Sequence, residues 1–157
     1  MDHHCPWVAN CIGFYNYKYF LNMLFYTSLT CLTIVCSSYS LVTTVLSREG
    51  LDYKISFYIV TSYVLASVFA FIITGFFFFH LWLIHKQYTT IEFCEKKGSD
   101  DLFKVKSPYD LGTYRNFQII FGESPLEWFL PINPNIEGEG LFFHIRDDLL
   151  EQLANKT

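Results

Sequence analysis

The chain has 157 residues, of which 52% are hydrophobic, 20% aromatic and 17% charged, with a formal net charge of -4. That composition is too apolar for a soluble domain of this length and points to a membrane protein. The negative balance excludes a general affinity for polyanions, and the sequence holds no glycine-rich phosphate loop or basic stripe, so nucleic acid is not an expected partner.

The first chemistry-bearing feature is Asp2-His3-His4-Cys5, followed by Pro6-Trp7 and a second thiol at Cys11. A thiol becomes a strong nucleophile when a neighbouring imidazole takes its proton or stabilises the thiolate. A carboxylate on the far side of that imidazole fixes its tautomer and raises its basicity. Asp2, His3 and Cys5 supply those three parts in order. His4 is then spare, and with Cys11 it offers one imidazole and one thiolate, half of a tetrahedral zinc site. Spacing alone leaves open which histidine is base and which is ligand, and a purely structural zinc knuckle with Cys5 as a further ligand is the competing reading.

No Asp, Glu, Lys or Arg occurs between Lys18 and Arg48, and a second uncharged run extends from Ile55 to Ile84. Each exceeds the roughly 20 residues that cross a hydrocarbon core as helix, and without water the backbone must bond internally, so two transmembrane helices are expected despite the β-branched and aromatic content. No basic segment or small-residue cleavage pattern marks the first run as a signal peptide. In the connector, Arg48 and Lys54 are balanced by Glu49 and Asp52, whereas His85, Lys86, Lys96, Lys97, Lys104 and Lys106 come after the second run. That excess predicts a cytoplasmic tail, and with it a cytoplasmic Asp2–Cys11 cluster. The five cysteines agree, since Cys5 and Cys11 then lie where disulfides do not persist. Cys31 and Cys36 read as packing residues inside the first span, and Cys94, just after the second, reads as an ordinary free thiol, with a lipidation site at the membrane surface as the alternative.

In the tail, Thr89-Thr90-Ile91-Glu92 offers two hydroxyls and a carboxylate that can cap or bond neighbouring backbone. Residues 95–106 read as a polar loop. Pro108 to Gly112 marks a turn, and Tyr114-Arg115-Asn116-Phe117 leads into an apolar stretch. Pro125, Pro131 and Pro134 break up the next segment, and Phe142, Ile145, Leu149 and Leu153 predict an amphipathic helix over 141–155 that packs on the body or lies on the membrane surface.

Taken together, Asp2 to Trp7, Asn10 to Gly13, Asn16 and Phe20 resemble the end of the Asp-His-His-Cys cysteine-rich domain of the membrane-bound protein S-acyltransferases, the palmitoyltransferases. Thr89 to Glu92 is similar to that family's Thr-Thr-x-Glu motif, and Pro108 to Phe121 to its C-terminal segment. The resemblance implies an all-α integral membrane fold with the tail end of a zinc domain at the front. Its parts would be that end (1–17), a transmembrane helix (18–47), a lumenal or extracellular loop (48–54), a second transmembrane helix (55–85) and a partly irregular, partly helical cytoplasmic tail (86–157). It also implies that Cys5 takes an acyl group from palmitoyl-CoA and passes it to the cysteine of a substrate protein at the membrane face. His3 would assist and Asp2 orient His3, His4 and Cys11 would bind structural zinc, and Thr89, Thr90, Glu92 and Asn116 would support the site. His80 resembles a position often histidine in the family; an inward-facing polar residue of a bundle is the other reading. The resemblance further implies placement in an endomembrane or the plasma membrane, with the bilayer, long-chain acyl-CoA and proteins carrying membrane-proximal cysteines as partners.

Two departures set further expectations. The family has two earlier spans and an upstream cysteine-rich stretch that supplies the other zinc ligands, and it often carries methionine before the motif, so Met1 is expected to be internal to a longer protein. The alternative function is that of an inactive two-span membrane protein lacking most zinc ligands. A smaller departure is Ser107, where the family often has Asn before Pro.

Overall fold

The computed structural model describes residues 1–47, 52–96, 106–134 and 140–155. The connector residues 48–51 and the loop residues 97–105, with the basic side chains of Arg48, Lys97 and Lys104, lie outside the described residues. Two short strands come first, β1 (His3–Cys5) and β2 (Asn10–Ile12), followed by the helices α1 (Tyr17–Ser47), α2 (Tyr53–Lys86), α3 (Thr90–Lys96), α4 (Thr113–Phe121) and α5 (Asp147–Ala154), with a 3₁₀ turn at Pro125–Glu127. The protein is mostly helical, and α1 and α2 are long and apolar enough to cross a membrane. Only 11% and 17% of their apolar windows are buried within the chain, so most of their surface needs a non-aqueous surrounding, unlike a core helix of a soluble protein.

Two three-residue strands accompany the helices of this mostly helical fold. β1 and β2 pair antiparallel with His3 opposite Ile12, His4 opposite Cys11 and Cys5 opposite Asn10. The Ala9 amide closes a turn on the Pro6 carbonyl at 3.3 Å, and Ala9 takes a left-handed φ of 48°, the pattern of a short hairpin loop. Strands of three residues are too short for alternation to stand out in the sequence.

Asn16 joins the hairpin to α1. Its Oδ1 accepts the Gly13 amide at 2.8 Å and its Nδ2 donates to the Cys11 carbonyl at 2.9 Å. The Gly13 carbonyl in turn accepts the Tyr17 amide at 2.9 Å, which opens the helix.

The chain divides into two compact units, one of residues 1–22 and 79–157, the other of residues 23–78. In the second unit the apolar helix segments meet through Ser28 and Thr74, whose hydroxyls lie 2.5 Å apart, and through Phe25 and Phe77, with ring centroids 5.7 Å apart. Thr30, Thr33, Thr44 and Ser67 donate their hydroxyls to carbonyls four residues back, which satisfies polar groups on otherwise apolar surfaces.

In the first unit, α2 ends in a Schellman motif. Gln87 adopts φ 51°, the Tyr88 amide bonds the Leu83 carbonyl and the Gln87 amide bonds the Ile84 carbonyl, each at 3.0 Å. The accompanying apolar contact joins Leu83 to Tyr88, with Phe79, Trp82 and Phe93 packed around them. Thr89 then caps α3 reciprocally with Glu92: the Thr89 amide and hydroxyl donate to Glu92 Oε2 at 2.8 and 2.9 Å, and the Glu92 amide returns to Thr89 Oγ1 at 3.2 Å. This is a capping box, which the Thr-x-x-Glu spacing encodes.

Helix α4 docks on the last turn of α2. Fully buried Asn116 donates to the His85 carbonyl at 3.2 Å and to Asp110 Oδ1 at 2.8 Å, while its Oδ1 accepts the Leu111 amide at 3.1 Å. Gly122 ends α4 with φ 93°, a conformation that L side chains resist. The amphipathic helix expected over 141–155 begins only at Asp147. The Arg146 carbonyl accepts the first helical bonds, Asp147 and Asp148 suit the positive end of the helix dipole, and Phe143 is held elsewhere, against Phe14 and Tyr109. The Arg146 guanidinium bonded to Asp148 holds that exposed carboxyl below its ordinary pKa.

Candidate active site

Strand alternation sorts the residues of the opening cluster. His3 and Cys5 share one face of β1 and His4 takes the other. Cys5 is 5% exposed and Asp2 equally buried, whereas His4 and Cys11 are exposed. On the buried side, Asp2 Oδ2 and His3 Nδ1 are 2.6 Å apart. His3 Nε2 is buried and has no hydrogen-bond partner among the described residues, so the imidazole is anchored at one nitrogen and leaves the other for proton transfer.

Asp2 is held in turn by Thr90. The Thr90 amide donates to Asp2 Oδ1 at 3.0 Å, and its hydroxyl reaches the Asp2 carbonyl at 2.5 Å and Oδ2 at 3.0 Å. The Schellman end of α2 and the Thr89–Glu92 capping box thus lead to a single consequence: the first residue of α3 presents its donors to Asp2. Thr89 and Glu92 hydrogen-bond each other, and Asn116 sits at the α2–α4 junction.

The imidazole of His3 lies among rings. Phe20 meets it edge-on at 5.0 Å, and fully buried His80 lies 5.6 Å away. His80 Nδ1 is 2.8 Å from the Tyr17 hydroxyl, and both rings pack against Phe20. Tyr17 was not legible as a site residue. Its only signal is an aromatic hydroxyl in the first turn of an apolar helix, a common interfacial feature.

On the opposite face, His4 Nδ1 and Cys11 Sγ are 3.6 Å apart. Two ligands of one tetrahedral zinc, at ordinary Zn–N and Zn–S lengths, stand about 3.6 Å apart. The pair therefore fits two adjacent corners of such an ion, and among the described residues no group of three or more His, Cys, Asp or Glu side chains is placed to hold one.

A hairpin carrying an Asp-His pair and a thiol, in a mostly helical chain with two helices long and apolar enough to cross a membrane, is the pattern of a membrane-protein class. The model of the DHHC palmitoyltransferase family matches residues 1–97, and the chain belongs to that family. It is similar to palmitoyltransferase ZDHHC2 of Danio rerio, at 35% identity over 91% of this chain and 39% of that protein. It is also similar to palmitoyltransferase ZDHHC15 of Homo sapiens, at 35% identity over 93% and 43%, and to palmitoyltransferase PFA3 of Debaryomyces hansenii, at 33% over 97% and 44%. The chain spans about four tenths of the length of these relatives.

Proposed function

We propose that this chain carries the nucleophile of a protein-cysteine S-palmitoyltransferase that uses Cys5 as a covalent acyl carrier. The observation that carries this reading is the arrangement of Asp2, His3 and Cys5: a carboxylate on Nδ1, an unengaged and buried Nε2, and a thiol on the same strand face. Family membership supports it.

In the first half-reaction, His3 Nε2 takes the proton of the Cys5 thiol. The thiolate adds to the thioester carbonyl of palmitoyl-CoA, and the tetrahedral adduct collapses with release of the CoA thiolate, which recovers the proton from His3. In the second, the thiol of a substrate protein gives its proton to His3 and attacks the acyl-Cys5 thioester; Cys5 leaves as thiolate and is reprotonated. One thioester replaces another in each step, so neither half-reaction climbs far. Asp2 keeps the Nδ1 proton in place and stabilises the imidazolium, with Thr90 orienting Asp2. His4 and Cys11 would hold zinc, which when bound stiffens the hairpin and leaves the proton transfers to His3.

The long apolar acyl chain accounts for a membrane location, because each methylene left in water costs about 0.8 kcal/mol. Both α1 and α2 are read as spans, with the hairpin and the tail on the cytoplasmic side, in keeping with the basic residues Lys86, Lys96 and Lys106 at and beyond the end of α2. Substrates on this reading are proteins with cysteines near the cytoplasmic membrane face.

The test is acyl-enzyme formation. Detergent-purified protein incubated with labelled palmitoyl-CoA is expected to carry hydroxylamine-sensitive label, absent from Cys5→Ala. Equal labelling of the two would exclude Cys5 as the acyl carrier.

A further inference from the structure

The stretch from Pro125 to Ile132 takes no part in acyl transfer through Cys5, and its surface is unusual. Leu126 is 87% exposed and Phe129 54%, with Leu130 and Ile132 also exposed. Their neighbour Trp128 points the other way: it stacks on Phe117 and Phe121 of α4 at 5.9 and 5.7 Å, and its indole nitrogen donates to the Gly122 carbonyl at 2.9 Å. The segment is thus pinned by one inward aromatic while apolar side chains on either side of it face outward. Left in water, that patch is an unfavourable surface.

Two bonds tie the element that carries the patch to the end of an apolar helix, all within the first compact unit. Helix α4, on which Trp128 stacks, is tied to the last turn of α2 by Asn116 on the His85 carbonyl and by the Thr113 hydroxyl, 2.9 Å from His85 Nδ1. The turn is therefore carried on an element bonded to the place where α2 ends. That end marks the boundary between hydrocarbon and headgroups, where aromatic and aliphatic side chains on a polar backbone are stable.

We infer that Pro125–Ile132 is an interfacial membrane anchor, with Leu126, Phe129, Leu130 and Ile132 inserted among the lipid acyl chains beside the end of α2. Its occupant is the bilayer itself, because the patch is pinned on α4 and α4 is tied to the last turn of an apolar helix long enough to cross a membrane. Glu123 precedes it, Glu127 lies within it and no basic residue occurs from Glu123 to Ile132, so the anchor suits zwitterionic rather than anionic lipid. The anchor fixes the height of α4, and through α4 that of the end of α2, against the membrane plane.

The full chain reconstituted in phosphatidylcholine vesicles containing tritiated phosphatidylcholine tests this. A photoreactive benzoylphenylalanine is placed at Leu126, at Phe129 or, as the reference, at Asp148 on charged α5. Lipid adducts several-fold above the reference at both test positions are expected. Adducts no greater than the reference, or adducts to a second protein copy in place of lipid, overturn the anchor. In the unaltered chain in the same vesicles, hydroxyl-radical labelling of Leu126 and Phe129 should fall below that of exposed Leu150; labelling at or above it overturns the anchor without any substitution.

Discussion

Asp2 and Thr90, 88 residues apart in sequence, are joined by the Thr90 amide on Oδ1 and by the Thr90 hydroxyl shared between the Asp2 carbonyl and Oδ2. The bonds run from the start of α3 to the carboxylate that engages His3, so a residue remote in sequence sets the orientation of the Asp2–His3 pair. Thr90→Val keeps shape and removes the hydroxyl. It is expected to slow Cys5 acylation by about 10–100-fold, the cost of a small misplacement of a catalytic group. Single-turnover labelling with palmitoyl-CoA measures it; an unchanged rate would separate Thr90 from the site. Thr90→Ser should retain most of the rate.

The two histidines are predicted to fail differently because they occupy opposite faces of β1. His3→Ala is expected to lower acylation by about 10²-fold or more, in the range of a lost general base, with bound zinc unchanged. His4→Ala is expected to lower zinc content first, with acylation falling as the hairpin loosens; chelator treatment of the unaltered chain should mimic it. Zinc measured by elemental analysis beside the labelling rate decides. Loss of zinc from His3→Ala would mean that the roles are exchanged.

The contrast between those faces marks what could be read from the residues. The uncharged stretches 19–47 and 55–84 announced long apolar helices because a missing charge is a direct compositional signal, and α1 and α2 contain them. Thr89 and Glu92 announced a cap for a similar reason, since the reciprocal bonds are local and their spacing is fixed by helix geometry. The hairpin was not legible, as its register depends on pairing across a turn rather than on local periodicity. The contact of Thr90 with Asp2 and of His80 with Tyr17 depends on how distant segments come together, which no window of sequence records. At 141–155 the helical spacing was present in the residues, but packing of Phe143 against Phe14 and Tyr109 overrode it.

His80 and Tyr17 are expected to act on the rate through the rings around His3. Their bond fixes the His80 ring, which with Phe20 bounds the space available to the His3 imidazole. Tyr17→Phe removes one hydroxyl and leaves the packing. It should reduce the acylation rate by about 10-fold while leaving the concentration of palmitoyl-CoA at half-maximal rate unchanged, as expected when orientation rather than binding is lost. His80→Gln, which can still bond the Tyr17 hydroxyl, should retain more activity than His80→Leu. Equal rates for the two would show that the polar link is dispensable.

Asn116 is the residue whose loss should cost the most stability outside the helices that face the membrane. It is fully buried and joins three partners: the His85 carbonyl at the end of α2, Asp110 in the turn before α4, and the Leu111 amide. Asn116→Ala leaves buried backbone groups without partners and is expected to destabilise the fold by roughly 2–3 kcal/mol. Asn116→Asp removes both donated bonds as well and sets a second carboxylate against Asp110, now as a repulsive neighbour, so it should be at least as damaging despite its nearly identical shape. The prediction is read from the thermal midpoint of the detergent-solubilised protein, monitored through the loss of its monodisperse peak on size exclusion. A midpoint for Asn116→Asp close to that of the unaltered protein would mean that the amide donors do not hold α4 to the end of α2.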